Sequence, residues 1–529
     1  MVINFLIIIQ DVKMKINRTQ NATRNIAFGV VLRIYQMLMP FVMRTIMIYL
    51  LGVNYLGLNS LFTSILQVLN LAEMGVGLAM VYSMYEPIAK DDSEKVCALM
   101  QLYKVYYRVI GAVVLIGGCL VIPFLPKLIK SDIPPDMNIY ILYILNLLAT
   151  VLTYWLFAYK NSILYAHQRA DISTKVAIIT ETIKYLLQIV VLAVFQSYYL
   201  YTIVIVATQI LTNIITAVVA GKIYPQYKAS GKLSKEEVRQ INAKIRDLFT
   251  SKLGTVVFNS VDTIIISAFL GLRILAIYQN YYFIVTSVTS LISIIFSSST
   301  AGIGNSLIIE SEEKNYNDFK KFTLIIIWIS GFCTMCMLCL FQPFMKIWVT
   351  EKLMLEFHAV ILFCVYFFVN QINLLMEAYK DAAGMWHEDR FRPLTLSVIN
   401  LVLNLILVQF IGVYGVLLAS CITKAFIGIP WVIYNLFHVV FRQNVSEYIK
   451  KLCLDISIVL VVSVCIYKLC LLIPLEGIIG LGIKCIICCL GGNLLYLMAF
   501  RLDKEYKSVI LIGKSILPRR LKRIVDTIV

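Results

Sequence analysis

Apolar positions along this chain come in blocks of about twenty residues, the length an α-helix needs to cross about 30 Å of hydrocarbon. Bounded by charge, Pro or Gly, the blocks lie near 26–51, 56–82, 105–125, 138–160, 172–196, 199–220, 250–271, 277–301, 320–344, 357–379, 394–411, 413–437, 453–474 and 478–500. The pattern predicts an all-α, polytopic membrane protein of about fourteen transmembrane helices. The joints 51–56, 196–199 and 411–413 are so short that their flanking helices must form antiparallel hairpins.

The longest inner connection, 221–249, carries eight of the basic residues when its immediate borders are included. It divides the chain into a cytoplasmic lead (1–25), a six-helix bundle (26–220), a basic linker (221–249), a second six-helix bundle (250–437), helices thirteen and fourteen (438–500), and a basic tail (501–529). An internal echo supports two pseudo-symmetric halves. Leu50-Leu51-Gly52 closes the first helix and precedes Tyr55-Leu56-Gly57; Phe269-Leu270-Gly271 closes the seventh and precedes Ile274-Leu275-Ala276 at the same spacing. Parallel repeats of this kind build transporters with a substrate site between two rocking bundles.

Composition agrees. Of 529 residues 60% are hydrophobic and 15% charged, with mean hydropathy +0.83, whereas soluble domains carry about a quarter charged residues. The net charge of +17 would suggest nucleic acid in a soluble chain. Its distribution excludes that partner. Of 47 Lys and Arg, thirty-five fall in inner segments and five in outer loops: Lys127, Lys130, Arg273, Lys346 and Lys352. Basic loops stay on the cytoplasmic side, so both termini are expected there, and the net charge reads as topology and contact with anionic membrane lipid. Residues 2–9 are too short to span, and Met14 is a candidate translation start. The 13 cysteines show no CxxC pairs framing histidines. Most sit inside apolar runs, such as Cys333, Cys336 and Cys339 or Cys485, Cys488 and Cys489, and read as free thiols packing helices. No metal or cofactor is expected.

An ionisable side chain in hydrocarbon is costly, so it usually faces a cavity or a partner. Arg33 and Arg44 lie eleven residues apart in the first helix, about 20° beyond three full turns, hence on one face. Pro40 shares that face and should open a kink. Both arginines are candidate substrate-binding residues, with snorkelling to the interface the alternative for Arg33. Lys184 and Glu181 share a face of the fifth helix with Gln188, either as a self-neutralising pair or as part of a substrate site. Asp262, with Thr255 and Asn259 on the seventh helix, holds nearly the place of Arg44 in the first half. Glu73, in Leu69-Asn70-Leu71-Ala72-Glu73-Met74-Gly75-Val76-Gly77, stands where two glycines permit close packing or a break, and a structural hydrogen bond to unwound backbone is the alternative to a functional role. Lys424 is deep in the twelfth helix beside Ser420, while Lys468 and Lys484 lie near helix ends and can snorkel. The cavity candidates are therefore Arg33, Arg44, Lys184 and Lys424; Glu73, Glu181 and Asp262 are candidates for ion coupling or for latching the halves. Arginine suits phosphate because its fork binds two oxygens at once.

At these residues the chain resembles a known family. The run Leu51-Gly52-Val53-Asn54-Tyr55-Leu56-Gly57-Leu58, Leu61-Phe62 and the Glu73 segment are similar to bacterial polysaccharide-unit flippases of the multidrug/oligosaccharidyl-lipid/polysaccharide exporter superfamily. Further matches are Tyr278-Gln279-Asn280-Tyr281-Tyr282, Gly302-Ile303-Gly304-Asn305, Ala383-Gly384-Met385-Trp386 with Asp389-Arg390-Phe391-Arg392-Pro393, Asn400 and Gly412-Val413-Tyr414-Gly415-Val416. The similarity covers about 15–440. It implies a rocker-switch transporter in the bacterial plasma membrane, moving undecaprenyl-diphosphate-linked oligosaccharide outward for O-antigen, capsule or related polymers. It also implies coupling to H⁺ or Na⁺, contact with a polysaccharide polymerase, and a cation mid-way along the first helix, a place Arg44 matches. A multidrug extruder of the same superfamily and a membrane enzyme of polysaccharide assembly are the alternatives. The enzyme reading suffers because no phosphate-cradling glycine loop or paired-Asp metal motif is present.

Overall fold

The computed structural model describes residues 18–130, 133–134, 136–501 and 503–516; the candidate start at Met14 and the last thirteen residues of the tail lie outside them. Every described secondary-structure element is helical. Thirteen helices are long and apolar enough to cross a membrane, and a bent pair makes the fourteenth. In order the spans are Ala27–Leu50, Val53–Ala89, Ser93–Leu128, the pair Ile139–Trp155 and Ala158–Ala166, Ala170–Phe195, Tyr198–Ile223, Lys252–Leu270, Leu272–Ile309, Glu312–Val349, Phe357–Ala382, Trp386–Ile411, Val413–Phe441, Val445–Leu471 and Gly477–Phe500. They correspond one to one with the fourteen apolar blocks, and the chain is a multi-pass membrane protein.

The second and fourth spans are broken, each for a local reason. The second breaks after Leu69: Asn70–Glu73 tighten into a 3₁₀ turn, Met74 is extended, and Gly75 takes φ 91°. Gly75 is required twice over. Its backbone lies where side chains are rarely tolerated, and a Cβ would come within 2.7 Å of Leu248. The fourth span bends by 47° between Trp155 and Ala158, where Phe157 adopts φ 59°. The first span, in contrast, runs as one helix through Pro40.

The chain forms two compact units, divided at 276/277. In the first unit the first span packs on the fifth, the fifth on the sixth, the fourth on the third and sixth, and the second on the seventh. The repeated glycine turn has one geometry at both sites: Gly52 at φ 110°, ψ 165° and Gly271 at φ 90°, ψ 172°. The 221–249 connection enters the helix at Lys235 through a capping box in which the Ser234 hydroxyl and the Glu237 carboxylate each serve the other's amide. Lys95 reaches Glu237 at 2.7 Å, and with Ser234 it draws that carboxyl down to about 2. In the second unit the ninth span is the hub, packing against the tenth, thirteenth and fourteenth, while the twelfth lies on the tenth and eleventh.

Helix approach is closest where the glycines permit it. A Cβ on Gly57 would lie 2.2 Å from the Leu272 carbonyl oxygen, a backbone atom with no rotamer to yield. Gly57→Ala should therefore push the second span off the start of the eighth at a cost of about 1–3 kcal/mol. A lower melting temperature of the detergent-solubilised protein would register it, and wild-type melting would refute it.

Candidate functional site

The first unit holds a partly open cavity of about 560 Å³, within the range of ligand pockets. Five spans line it. The second contributes Asn59, Thr63, Gln67 and Asn70, four residues at helical spacing that fall within about 80° of one another. The fourth contributes Asn146, Thr150 and Thr153 in the same way. These side chains are held by short-range bonds. Thr63 donates to the Asn59 carbonyl at 2.8 Å, Thr150 to that of Asn146 at 3.1 Å and Thr153 to that of Ala149 at 3.0 Å. Tyr154 donates to Asn70 Oδ1 at 3.0 Å.

Against these neutral walls stand Arg44 from the first span and Lys184 from the fifth, the two charged residues of the lining. Both are cations. Lys184 Nζ lies 4.4 Å from the centroid of the Tyr185 ring, and Tyr185 and Tyr201 also face the cavity. Gln188, one turn beyond Lys184 and 1% exposed, lines the cavity with a carbonyl oxygen that accepts no hydrogen bond from the described residues. A buried amide oxygen without a donor costs free energy until something supplies one.

The remaining sequence candidates fall elsewhere. Arg33 is exposed and lies outside the lining. Glu181 accepts from Gln36 at 3.1 Å, and its other oxygen is buried without a hydrogen-bond partner among the described residues. Glu73 sits at the break in the second span and accepts from Tyr107 at 2.7 Å, which in turn accepts from Tyr103 at 2.6 Å. Asp262 is buried on the seventh span and does not line the cavity. Lys424, in the second unit, donates to Asn370 at 2.7 Å and lies over the Tyr366 ring at 5.0 Å. It occupies a π-helical stretch, Thr423–Gly428. Of the seven candidates, the cavity thus brings together Arg44 and Lys184.

Two ionic clusters went unread in the sequence. In the first unit, fully buried Asp171 is bonded by Arg169 at 2.9 Å and Lys175 at 3.3 Å, and its amide donates to Asn25. In the second, Arg392, 3% exposed, grips Asp389 at 2.6 and 3.0 Å and reaches Glu377 at 3.3 Å. Each lies where an even-numbered span hands over to the next. The available signal was a carboxylate within a few residues of arginine at equivalent joints of the two halves.

The family model for polysaccharide biosynthesis proteins matches residues 22–301, more than half of the chain. The chain belongs to that family. No curated protein resembles it closely enough in sequence to count as a relative. Among solved structures, this polysaccharide biosynthesis protein is similar to the lipid II flippase MurJ in its inward closed conformation, with TM-score 0.68, 15% identity, and coverage of 90% of this chain and 99% of that one. An inward-facing multidrug resistance MATE family transporter of the MOP superfamily gives 0.58, 15%, 77% and 98%. A mutant of the Vibrio cholerae MATE transporter VcmN gives 0.57, 13%, 80% and 99%. At such identities the likeness establishes the fold, and it agrees with the family resemblance carried by the sequence runs.

The tyrosine relay makes Glu73 a brace for the broken second span. Tyr107→Phe removes a donor to a half-buried carboxylate and should destabilise the protein by about 1–3 kcal/mol, whereas Glu73→Gln, which keeps an acceptor, should cost less. Melting curves of the two variants check the order; the reverse order would remove the bracing role.

Proposed function

We propose that this protein is a flippase that carries polyprenyl-diphosphate-linked oligosaccharide repeat units from the inner to the outer leaflet by alternating access. The observation that carries the reading is the lining of the first-unit cavity: two cations, Arg44 and Lys184, among neutral amides and hydroxyls. A diphosphate needs positive charge and hydrogen-bond donors once it leaves water. Sugars need neutral donors and acceptors, and the polyprenyl tail is at home in lipid. Family membership and the shared fold with a lipid II flippase support the same substrate class.

In this reading Arg44 and Lys184 hold the head group in the first six-helix bundle (26–220), and Lys424 is a binding residue of the second (250–437). Arg33 lies outside the lining and acts at the interface. For coupling to H⁺ or Na⁺ the arrangement favours Glu181 over Glu73 and Asp262, because one of its oxygens is buried without a donor among the described residues, one turn from Lys184. The protein works as a transporter in the bacterial plasma membrane with both termini cytoplasmic, and delivers its cargo to a polysaccharide polymerase outside. The competing reading, a multidrug extruder, shares the fold, but cationic drugs would meet two cations in the lining.

Arg44→Ala should abolish surface polysaccharide while the protein remains at its normal level in the membrane, and Arg44→Lys should restore part of it, since a point charge replaces a bidentate fork. Unchanged polymer in Arg44→Ala cells would overturn the reading; drug hypersensitivity of a deletion strain with intact polymer would favour the extruder. Reporter fusions at both ends should give cytoplasmic signals, as the basic loops require.

A further inference from the structure

We propose that the ninth, thirteenth and fourteenth spans build a thiolate site for a soft divalent d¹⁰ metal ion, with Cys339, Cys470 and Cys488 as ligands. The three come from three helices, and their sulfur atoms all lie within 4.8 Å of one another. They are 4%, 3% and 0% exposed. A trigonal ion with metal–sulfur bonds of about 2.3 Å sets its sulfurs about 4.0 Å apart, so small side-chain rotations would close the observed triangle.

Other buried cysteines of this unit behave differently. Cys364 donates to the Thr334 carbonyl at 3.7 Å and Cys421 to the Leu362 carbonyl at 3.8 Å, the ordinary fate of a thiol packed between helices. Cys488 instead takes Cys336, Cys339 and Cys470 as its side-chain partners, so a fourth sulfur stands beside the triangle. Cys488 also opens a π-helical turn, Cys488–Gly492, a local distortion frequent at functional sites. Gly492 in that turn admits Met335, whose methyl lies 2.2 Å from the point a Cβ would occupy. Met335 is fully buried, and it packs against the turn that carries Cys488.

The charge balance suits a divalent ion. Loading would replace three S–H protons by one M²⁺, releasing three H⁺ and leaving the site with a single negative charge, with no change of oxidation state. Lys484 lies half-buried one turn before Cys488 and interacts electrostatically with Cys470, so its ammonium is placed to neutralise that charge. Three soft donors and a closed apolar surround select a thiophilic ion over Mg²⁺ or Ca²⁺. Such an ion would tie the appended pair of spans to the hub of the second unit.

The test uses the full-length protein in detergent under reducing, metal-free conditions, titrated with Cd²⁺ as the probe. The expected result is one Cd²⁺ per chain, an ultraviolet thiolate-to-metal charge-transfer band, proton release, and a rise in melting temperature. Cys488→Ser and Cys470→Ser should each weaken binding more than ten-fold and abolish the band, Lys484→Gln should weaken it several-fold, and Cys465→Ser, at an exposed position of the thirteenth span, should bind as wild type. Melting in the absence of Cd²⁺ separates a lost ligand from a lost fold. The proposal falls if wild-type protein shows no band, if both cluster variants melt normally and bind Cd²⁺ as wild type does, or if thiol mapping in intact membranes finds any two of the three joined as a disulfide.

Discussion

Hydrocarbon does not solvate a guanidinium or an ammonium, and that single constraint organises the polar interior of this protein. A charged side chain at the centre of a bilayer costs from a few kcal/mol to more than ten, so each deep cation must be given a cavity, a ring face or a hydrogen-bonding partner. The structure provides all three. Arg44 faces a cavity walled by amides and hydroxyls, Lys184 borders the same space with its ammonium over Tyr185, and Lys424 combines an amide oxygen with the face of Tyr366. The helices around these groups supply neutral polarity in stripes, which provide hydrogen bonds without adding charges that would themselves need housing.

The same constraint governs the carboxylates. Asp171 and Asp389 are buried beside arginines whose forks reach them at 2.9 and 2.6 Å, at corresponding joints of the two halves. A buried pair of this kind adds little net stability, but breaking it is expensive, so the two joints resist change in the chain's course between spans. Glycine acts as the apolar counterpart. Gly52 and Gly271 repeat one backbone geometry, and Gly57 lets the second span reach the backbone at Leu272.

Most of the fold was legible in the sequence because hydropathy over twenty residues reports a bilayer directly, and all fourteen blocks found their helices. Turn glycines were legible too, since positive φ at Gly52 and Gly271 is a property of the local chain. What escaped was whatever depends on two helices at once. The break at Asn70–Glu73 could be suspected from Gly75 and Gly77, but its purpose appears only when Tyr103, Tyr107 and Tyr154 arrive from other spans. Arg33 and Arg44 share a helical face on paper, yet Arg33 is exposed while Arg44 lines a cavity, because depth along the axis separates them. The neutral stripe Asn59, Thr63, Gln67 and Asn70 has a helical period, but a polar period alone does not separate a cavity wall from a contact between helices.

Cysteine spacing shows the limit of one-dimensional reading most plainly. Along the ninth span Cys333, Cys336 and Cys339 look like thiols filling gaps between helices, and nothing in their spacing separates one from another. Packing does. The ninth span is the hub on which both the thirteenth and fourteenth lie, so a cysteine on its inner face can meet cysteines from two neighbours, and Cys339 meets Cys470 and Cys488. Ligand sites assembled across a hub in this way leave no motif, since the distance between partners is set by helix packing and not by chain length. The same holds for the cavity of the first unit, where Arg44 and Gln188 belong to one site through the packing of the first span on the fifth.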